Sequence, residues 1–291
     1  MRIAVVGSRG QLGAAVVQEL ATRHDVVPFD RAALDVTDAP AVASVMHRQR
    51  PQAIVNCTGY NNVDAAEDHP VEALKVNAFA VGALARAAID IGSVLVHFST
   101  DFVFDGTADR PYVEADRPNP KSVYATSKLI GEWFAEDAPT SYVLRVASLF
   151  GDAGGGPAPK GTVASLIRAF RDGEAARVFS DRTVSPTHVA DAAWATRLLL
   201  ERCAPAGLYH CVSTGFCTWE VFAREAARLL SIEPRLLVVS AADLRLRAPR
   251  PLYCAMSNRK LASIGIEMPT WQNALERFLN TEPSAAQKPI A

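Results

Sequence analysis

Short apolar runs alternate along this chain with stretches of helical period. "RIAVVG" is apolar and too short for a helix, so it predicts a buried strand. "QLGAAVVQELATR", directly behind it, spaces its apolar residues three and four apart, as a helix with one buried face does. The alternation continues. "DVVPF", "AIVNCTG", "SVLVHFST" and "SYVLRVASLFG" predict four more strands. "APAVASVMHRQR", the long "PVEALKVNAFAVGALARAAIDIG" closed by Gly92, and "YATSKLIGEWFAE" predict the intervening helices. Apolar strands joined through helices build a parallel sheet covered on both faces. The expected fold class is therefore α/β, a doubly wound parallel sheet of Rossmann type.

After Gly151 the pattern loosens. "GDAGGGPAPKG" reads as a glycine- and proline-rich loop. Beyond it, "TVASLIRAFRDG", "THVADAAWATRLLLER" and "TWEVFAREAARLL" predict helices, "GLYHCV" and "PRLLVV" strands, and "TEPSAAQKPIA" a frayed tail. A first part, 1–150, and a smaller α/β region, 151–291, are expected, with a boundary that need not be strictly continuous.

Composition narrows the class. A chain of 291 residues holds one large α/β domain or a large and a small one. With 49 % hydrophobic and 21 % charged residues it reads as a globular protein with a full core. The net charge of −1 supplies no field that would draw it to nucleic acid or an anionic membrane, so an anionic ligand needs a local basic site. There is no cleavable leader pattern at the N-terminus and no apolar run near the ~20 residues that span a bilayer. The five cysteines are odd in number and lack a C-x-x-C pair, which disfavours a disulfide framework or a zinc site. A reduced, cytoplasmic protein with no metal is expected.

Chemistry first shows in "GSRGQLG". Gly7, Gly10 and Gly13 stand at the first strand-to-helix turn, where glycine permits a tight turn, close approach of the backbone to a pyrophosphate, and close packing of helix on sheet. The first part thus reads as a dinucleotide-binding domain and the second as mainly substrate-binding. Asp30 ends the second strand, where a carboxylate bonds a ribose 2′-hydroxyl; Arg31 is adjacent and Arg9 sits inside the glycine turn, and the two guanidinium groups would hold a 2′-phosphate. The carboxylate favours NADH and the arginines NADPH; NADPH is the expected cofactor, with NADH tolerated. Asp35 is placed either at an adenine edge or at a helix start.

"YATSK" sets Tyr124 and Lys128 four apart on one helical face. Alone this is a surface turn as readily as a catalytic pair. In a sheet of order 3-2-1-4-5-6, however, the crevice opens beyond the first and fourth strands. The glycine turn follows strand one, "STD" (Ser99 to Asp101) strand four and "TGY" (Thr58 to Tyr60) strand three, while the Tyr124 helix leads into strand five. Hydroxyl, phenol, amine and phosphate turn then converge. An ammonium beside a phenol favours its phenolate, so Lys128 would lower the pKa of Tyr124, Tyr124 would protonate a ketone oxygen, and Thr100 would donate to the same oxygen.

"GSRGQLG", "VNCTGYNNVDAAE", "HFSTDFVFDG", "YATSK" and "SPTHVADAA" together resemble the extended short-chain dehydrogenase/reductase superfamily, and more narrowly the dTDP-4-dehydrorhamnose reductase family, from Met1 to about Leu279. The resemblance implies reduction of the 4-keto group of a nucleotide-linked 6-deoxy sugar, with Thr100, Tyr124 and Lys128 as catalytic trio. Gln11, Leu12, Asp30, Asp35, Val36, Gly59, Tyr60 and Asn61 would line the dinucleotide; Thr100 and Asp101 would also touch the sugar. Asn77 would support a proton relay or simply pack. The partner implied is a nucleotide-sugar substrate, and a homodimer is left open.

The chain departs from the family in places. "RVAS" puts Ser148 where the family carries an aromatic, removing a stacking surface for the sugar unless Leu149 or Phe150 replaces it. "VSPT" has Val184 for a glycine, and the insert 153–161 is unusual. Arg182 and Arg145 are candidates for a substrate diphosphate, with Arg145 equally an ion-pair partner. His97, Trp194 and Trp219 read as core, and His188 as a helix start. Rival readings are a reductase or epimerase of another nucleotide sugar, and a non-catalytic dinucleotide-binding subunit like the β subunit of methionine adenosyltransferase.

Overall fold

The computed structural model describes residues 1–152, 161–244 and 246–281; most of the glycine-rich insert and of the tail fall outside them. Six strands form the main sheet: β1 (Arg2–Val6), β2 (Asp25–Phe29), β3 (Ala53–Asn56), β4 (Val94–Thr100), β5 (Ser141–Val146) and the strand Gly207–His210. They lie in the order β2, β1, β3, β4, β5, Gly207–His210, and every neighbouring pair is parallel.

The expected order 3-2-1-4-5-6 is corrected by this arrangement. No strand forms between β2 and the next helix, because 30–38 is folded into turns by its own side chains. Asp30 accepts the amide of Ala33 at 2.9 Å, and Asp35 accepts the amide and hydroxyl of Thr37 at 2.9 and 2.7 Å. β2 is thus the sheet edge, and β1 pairs with β3 on its other side. The switch point lies between β1 and β3, with β4 one strand further out; the crevice still opens at the carboxyl ends of all three.

The sheet is buried on both faces because successive side chains point opposite ways. From β1, Ile3 and Val5 pack with Leu12, Val16 and Leu20 of α1 (Gln11–Ala21). Ala4 and Val6 pack on the other face with Val42 and Met46 of α2 (Ala39–Gln49). The helix Val189–Glu201 also covers the α1 face, and Gly207–His210 extends the sheet, so a division near residue 150 splits the chain but not the sheet. A separate apolar cluster joins the helices Thr162–Arg171, Trp219–Leu229 and Trp271–Thr281 around Phe150, Phe222 and Phe278. Trp219 belongs to that cluster, and Trp194 packs on the α1 face. Among the described residues no helix is long and apolar enough to cross a membrane.

The long helix predicted over 70–91 is three pieces. After α3 (Val63–Asp68) come α4 (Pro70–Leu74), a π-helical turn (Lys75–Phe79) and α5 (Ala80–Ile91), which ends at Gly92 with φ +67°. The π turn carries Asn77 against α6 (Val123–Glu136). There its carbonyl comes so close to Gly131 that a Cβ would stand 2.1 Å from it.

A second contact pins α6 to the sheet. Arg145 on β5 donates to Glu132 through Nε at 2.9 Å and Nη2 at 2.7 Å, and Ser99 on β4 donates to the same carboxylate. Arg145 is 2 % exposed, so of its two sequence readings the structural one fits. A buried pair of this kind adds little net stability, but stripping one partner leaves an uncompensated charge. Glu132→Ala should lower the unfolding free energy by about 3–5 kcal/mol in urea melts; a loss under about 1 kcal/mol would mean that the clamp is not holding α6.

Candidate active site

The turn after β1 is built for a phosphate. Gly7 has φ +80°, and a Cβ there would press on the backbone of Cys57 and Thr58 at 3.0 Å. A Cβ on Gly13 would meet the Gly7 carbonyl oxygen at 2.1 Å, so only glycine lets α1 start this close. Gly10 caps α1 without a side-chain bond, which leaves the first N–H groups of the helix facing the groove. A cradle that side chains would fill, and a helix start lacking a protein acceptor, fit the pyrophosphate of a dinucleotide.

Two adjoining clefts run from this turn. One, of about 550 Å³, is lined by Gly7, Arg9 and Gly10, by Asp30, Arg31, Asp35 and Val36, and by Gly59, Tyr60 and Asn61. The second, of about 280 Å³, takes Gln11, Leu12, Thr100, Asp101, Tyr124, Lys128 and Ser148. Gly10, Cys57, Thr58 and Asn61 line both, so the halves form one groove. Sequence reasoning placed Thr58 at this crevice but missed Cys57 and Lys75. Cys57 follows the apolar run of β3, and Lys75, at the start of the π turn, lines the first cleft.

At the outer end Arg9 binds Asp30, Nε to Oδ2 at 2.9 Å, with the Arg9 side chain 85 % exposed. The carboxylate that would repel a 2′-phosphate is neutralised, and Arg31 lines the same end. Asp35 caps Thr37, and the start of α2 is capped by Asp38 instead.

At the inner end Tyr124 and Lys128 are both buried on α6. Burial pushes the phenol up to about 12; a hydrogen bond with Thr100 offsets part of this and the Asp101 charge adds to it. The expected lowering by Lys128 is therefore absent here. The ammonium, donating to the Phe98 carbonyl, is itself pushed down to about 8 by burial, with Glu132 partly opposing. Tyr124 is accordingly a neutral phenol at neutral pH, as a proton donor must be. Thr100 Oγ1 donates to Asp101 Oδ1 at 3.0 Å and accepts from the Phe102 amide at 3.2 Å. Burial raises the Asp101 carboxyl to about 6, against the pull of Thr100 and Arg182.

Other expected residues fall as follows. Arg182 does not line the groove; it stands behind Asp101, 5.7 Å from the ring centres of both Phe102 and Phe179. Ser148 lines the groove with φ +45°, and Leu149 stands beside it. Phe150 is 1 % exposed and packs on His188, Phe222 and Phe278, so it offers no ring to a sugar. Asn77 accepts the Tyr60 amide at 2.8 Å and donates to the Tyr60 carbonyl and the Ser127 hydroxyl at 3.1 and 2.9 Å. Its side chain fixes one wall of the groove to α6. His97 is buried against Asn56 and kept neutral by burial; His188 caps the helix Val189–Glu201.

Residues 1–283 match the family model described as the RmlD substrate binding domain. A dTDP-4-dehydrorhamnose reductase of Streptomyces griseus is 35 % identical over 98 % of this chain and 95 % of its own length. The chain belongs to the dTDP-4-dehydrorhamnose reductase family. Another relative, a probable dTDP-4,6-dihydroxy-2-methyloxan-3-one 4-ketoreductase of Streptomyces antibioticus, is 34 % identical over 94 % of this chain and 93 % of its own. Among solved structures, the dTDP-4-dehydrorhamnose reductase of Bacillus anthracis in complex with NADP superposes with a TM-score of 0.90 at 32 % identity, covering 97 % of this chain and 99 % of that one.

The lowered Lys128 has a consequence for stability. Between about 8 and the ordinary lysine value near 10.5 the unfolded chain binds more protons than the folded one, so this group makes stability rise with pH across that window. In Lys128→Met this rise should be missing, so that the unfolding free energy of the wild type minus that of the variant grows with pH in melts taken from pH 7 to 10. An unchanged slope would show an ammonium that is not desolvated.

Proposed function

We propose that the protein reduces the 4-keto group of a dTDP-linked 6-deoxy-hexulose with NADPH, turning dTDP-4-dehydrorhamnose into dTDP-L-rhamnose. The observation that carries this reading is the single groove in which a glycine phosphate turn at one end adjoins Thr100, Tyr124 and Lys128 at the other. The family and the NADP carried by the Bacillus anthracis relative support it. Bound in the groove, the reduced nicotinamide supplies the hydride. The chain supplies the rest. Lys128 holds the nicotinamide ribose, Tyr124 hands its proton to the keto oxygen, and Thr100 donates a hydrogen bond to that oxygen as charge grows on it. Asp101 and Ser148 face the sugar. We place the reaction in the cytoplasm, where the free cysteines stay reduced.

An intact trio argues against a non-catalytic subunit, and net consumption of NADPH would separate a reductase from an epimerase. Ser148 favours one second reading. With no ring at 148 and Phe150 buried, the sugar is gripped less specifically, so a different dTDP-linked 4-keto sugar is the alternative substrate. The name of the Streptomyces antibioticus relative fits that choice. NMR of the products from several dTDP-4-keto-6-deoxy sugars decides between the two.

Tyr124→Phe should cut kcat at least a thousandfold while dinucleotide affinity changes less than about threefold, since the lost hydroxyl acts in proton transfer. Turnover near wild type would remove Tyr124 from the mechanism. Arg31→Ala and Arg9→Ala should each raise the KM for NADPH about tenfold and leave that for NADH nearly unchanged, because only NADPH has the phosphate they face. Equal effects on both cofactors would contradict the 2′-phosphate assignment.

A further inference from the structure

The stretch "VDAAE", 63–67, is among those that carry the family resemblance, yet none of its residues lines either cleft. It forms most of α3, and its side chains meet different parts of the molecule. Ala66 is buried in one apolar cluster with Tyr124, and Val63 packs against the same cluster. Glu67 accepts the Val123 amide at 2.8 Å, one residue before Tyr124. That bond satisfies an amide which a helix start leaves without an intrahelical partner. Asp64 binds the C-terminal segment 247–254. One of its oxygens accepts the Ala248 amide at 3.0 Å and the other accepts the Arg250 guanidinium at 2.8 Å.

Among the described residues two ion pairs join that segment to α3, and they differ in weight. Arg247 and Asp68 have side chains 61 and 49 % exposed, and a pair of that kind contributes little. The Arg250 side chain is only 13 % exposed, and it also donates to the Ala248 carbonyl at 3.0 Å. Ala248 itself is fully buried. The Ala248 amide first, and then Arg250, hold the Asp64 carboxyl below its usual value, so it binds both as a carboxylate. Further along, the segment meets a second neighbour of the Tyr124 ring. Phe102 stands edge-on to that ring, with centroids 5.8 Å apart. Gly106, in the turn that follows Phe102, has φ +78°, and a Cβ there would stand 2.6 Å from Pro251. Its carbonyl accepts the Tyr253 amide at 3.3 Å.

We propose that Asp64 is a positioning residue for Tyr124, acting through α3: its bonds to 248–250 fix the helix that packs on the phenol ring and holds the start of α6. The inference rests on the reductase reading above, because it gives Asp64 a part in proton transfer from Tyr124. A phenol delivers its proton only when its oxygen lies within hydrogen-bond reach of the keto oxygen, and a ring can turn about its side-chain bonds unless its neighbours stop it. Ala66 and Phe102 are such neighbours, and the segment 247–254 ties the backbone of each. Without Asp64, α3 keeps its Asn62 cap on the Ala65 amide, at 3.1 Å, but loses its tie to 248–250. The ring then spends time out of reach of the ketone. In this way the C-terminal region sets the position of the proton donor.

The test compares full-length wild type with Asp64→Ala, Asp64→Asn and Arg250→Ala. Turnover is measured with dTDP-4-dehydrorhamnose and NADPH in H2O and in D2O, and NMR spectra are taken without substrate on protein carrying ¹³C in its tyrosine rings. Asp64→Ala should lower kcat about thirtyfold while the dissociation constant of NADPH changes less than about twofold. The solvent isotope effect on kcat should rise, because a misplaced donor slows proton transfer relative to the other steps. A variant that is merely part-unfolded loses kcat with that isotope effect unchanged. Asp64→Asn still offers an oxygen to the Ala248 amide and should recover most of the loss. Arg250→Ala leaves that same bond in place and should behave alike. The Tyr124 resonance, identified as the one missing in Tyr124→Phe, should shift in Asp64→Ala. Should Asp64→Ala not fold, the other two variants show the same changes in smaller size. A kcat within about twofold of wild type in Asp64→Ala, a loss without a rise in the isotope effect, or an unmoved Tyr124 resonance overturns the proposal. A wild type that oxidises no NADPH with any dTDP keto-sugar sinks the reductase reading instead, and the resonance, which needs no substrate, still decides whether Asp64 holds Tyr124.

Discussion

Everything in the groove depends on keeping α6 pressed against the carboxyl ends of β4 and β5. That helix carries a phenol and an ammonium into the interior, and desolvating either is unfavourable. Two polar clamps oppose that cost. The Ser99–Glu132–Arg145 cluster ties α6 to the sheet, and the Asn77 amide ties it to the π turn and the Tyr60 backbone. Gly131 lets the second clamp close, since any side chain there would collide with the Asn77 carbonyl.

The clamps give the site its electrostatic character. Because α6 cannot move outward, Tyr124, Lys128 and Asp101 are all held in low dielectric, and each is displaced towards its neutral form. A neutral phenol, a weakened ammonium and a carboxyl that titrates near neutrality suit proton delivery to a ketone better than three charges would. The opposite end of the groove is different. There Arg9 and Asp30 pair at the surface, and the chemistry is recognition of an anion rather than proton transfer.

Much of this was legible in the sequence, because strands buried on both faces and glycines at an obligatory close approach leave strong local signals. The five strands up to Val146, the phosphate turn and the Tyr124–Lys128 pair were all readable that way. Strand order was not, since it turns on whether 31–38 extends or folds back, which the Asp30 and Asp35 side chains decide through hydrogen bonds to their own turns. A π turn has nearly the composition of the helix around it, so the break at Lys75–Phe79 and the placement of Lys75 in the groove left no trace. The strand Ala176–Phe179 was missed because four residues with alternate burial carry too little pattern. Whether Phe150 could replace an aromatic at 148 was a question of packing, answered only by its neighbours in the second core.

The central claim is that a phenolic proton donor and a bound nicotinamide address one carbonyl, at C4 of a dTDP-linked sugar. Turnover with NADPH carrying deuterium at the transferable position tests it most directly, with the product examined by NMR and mass spectrometry. One deuterium bonded to C4 of dTDP-L-rhamnose, and none elsewhere, is the expected result. Deuterium that stays on the cofactor, or appears at another carbon of the sugar, would contradict the account.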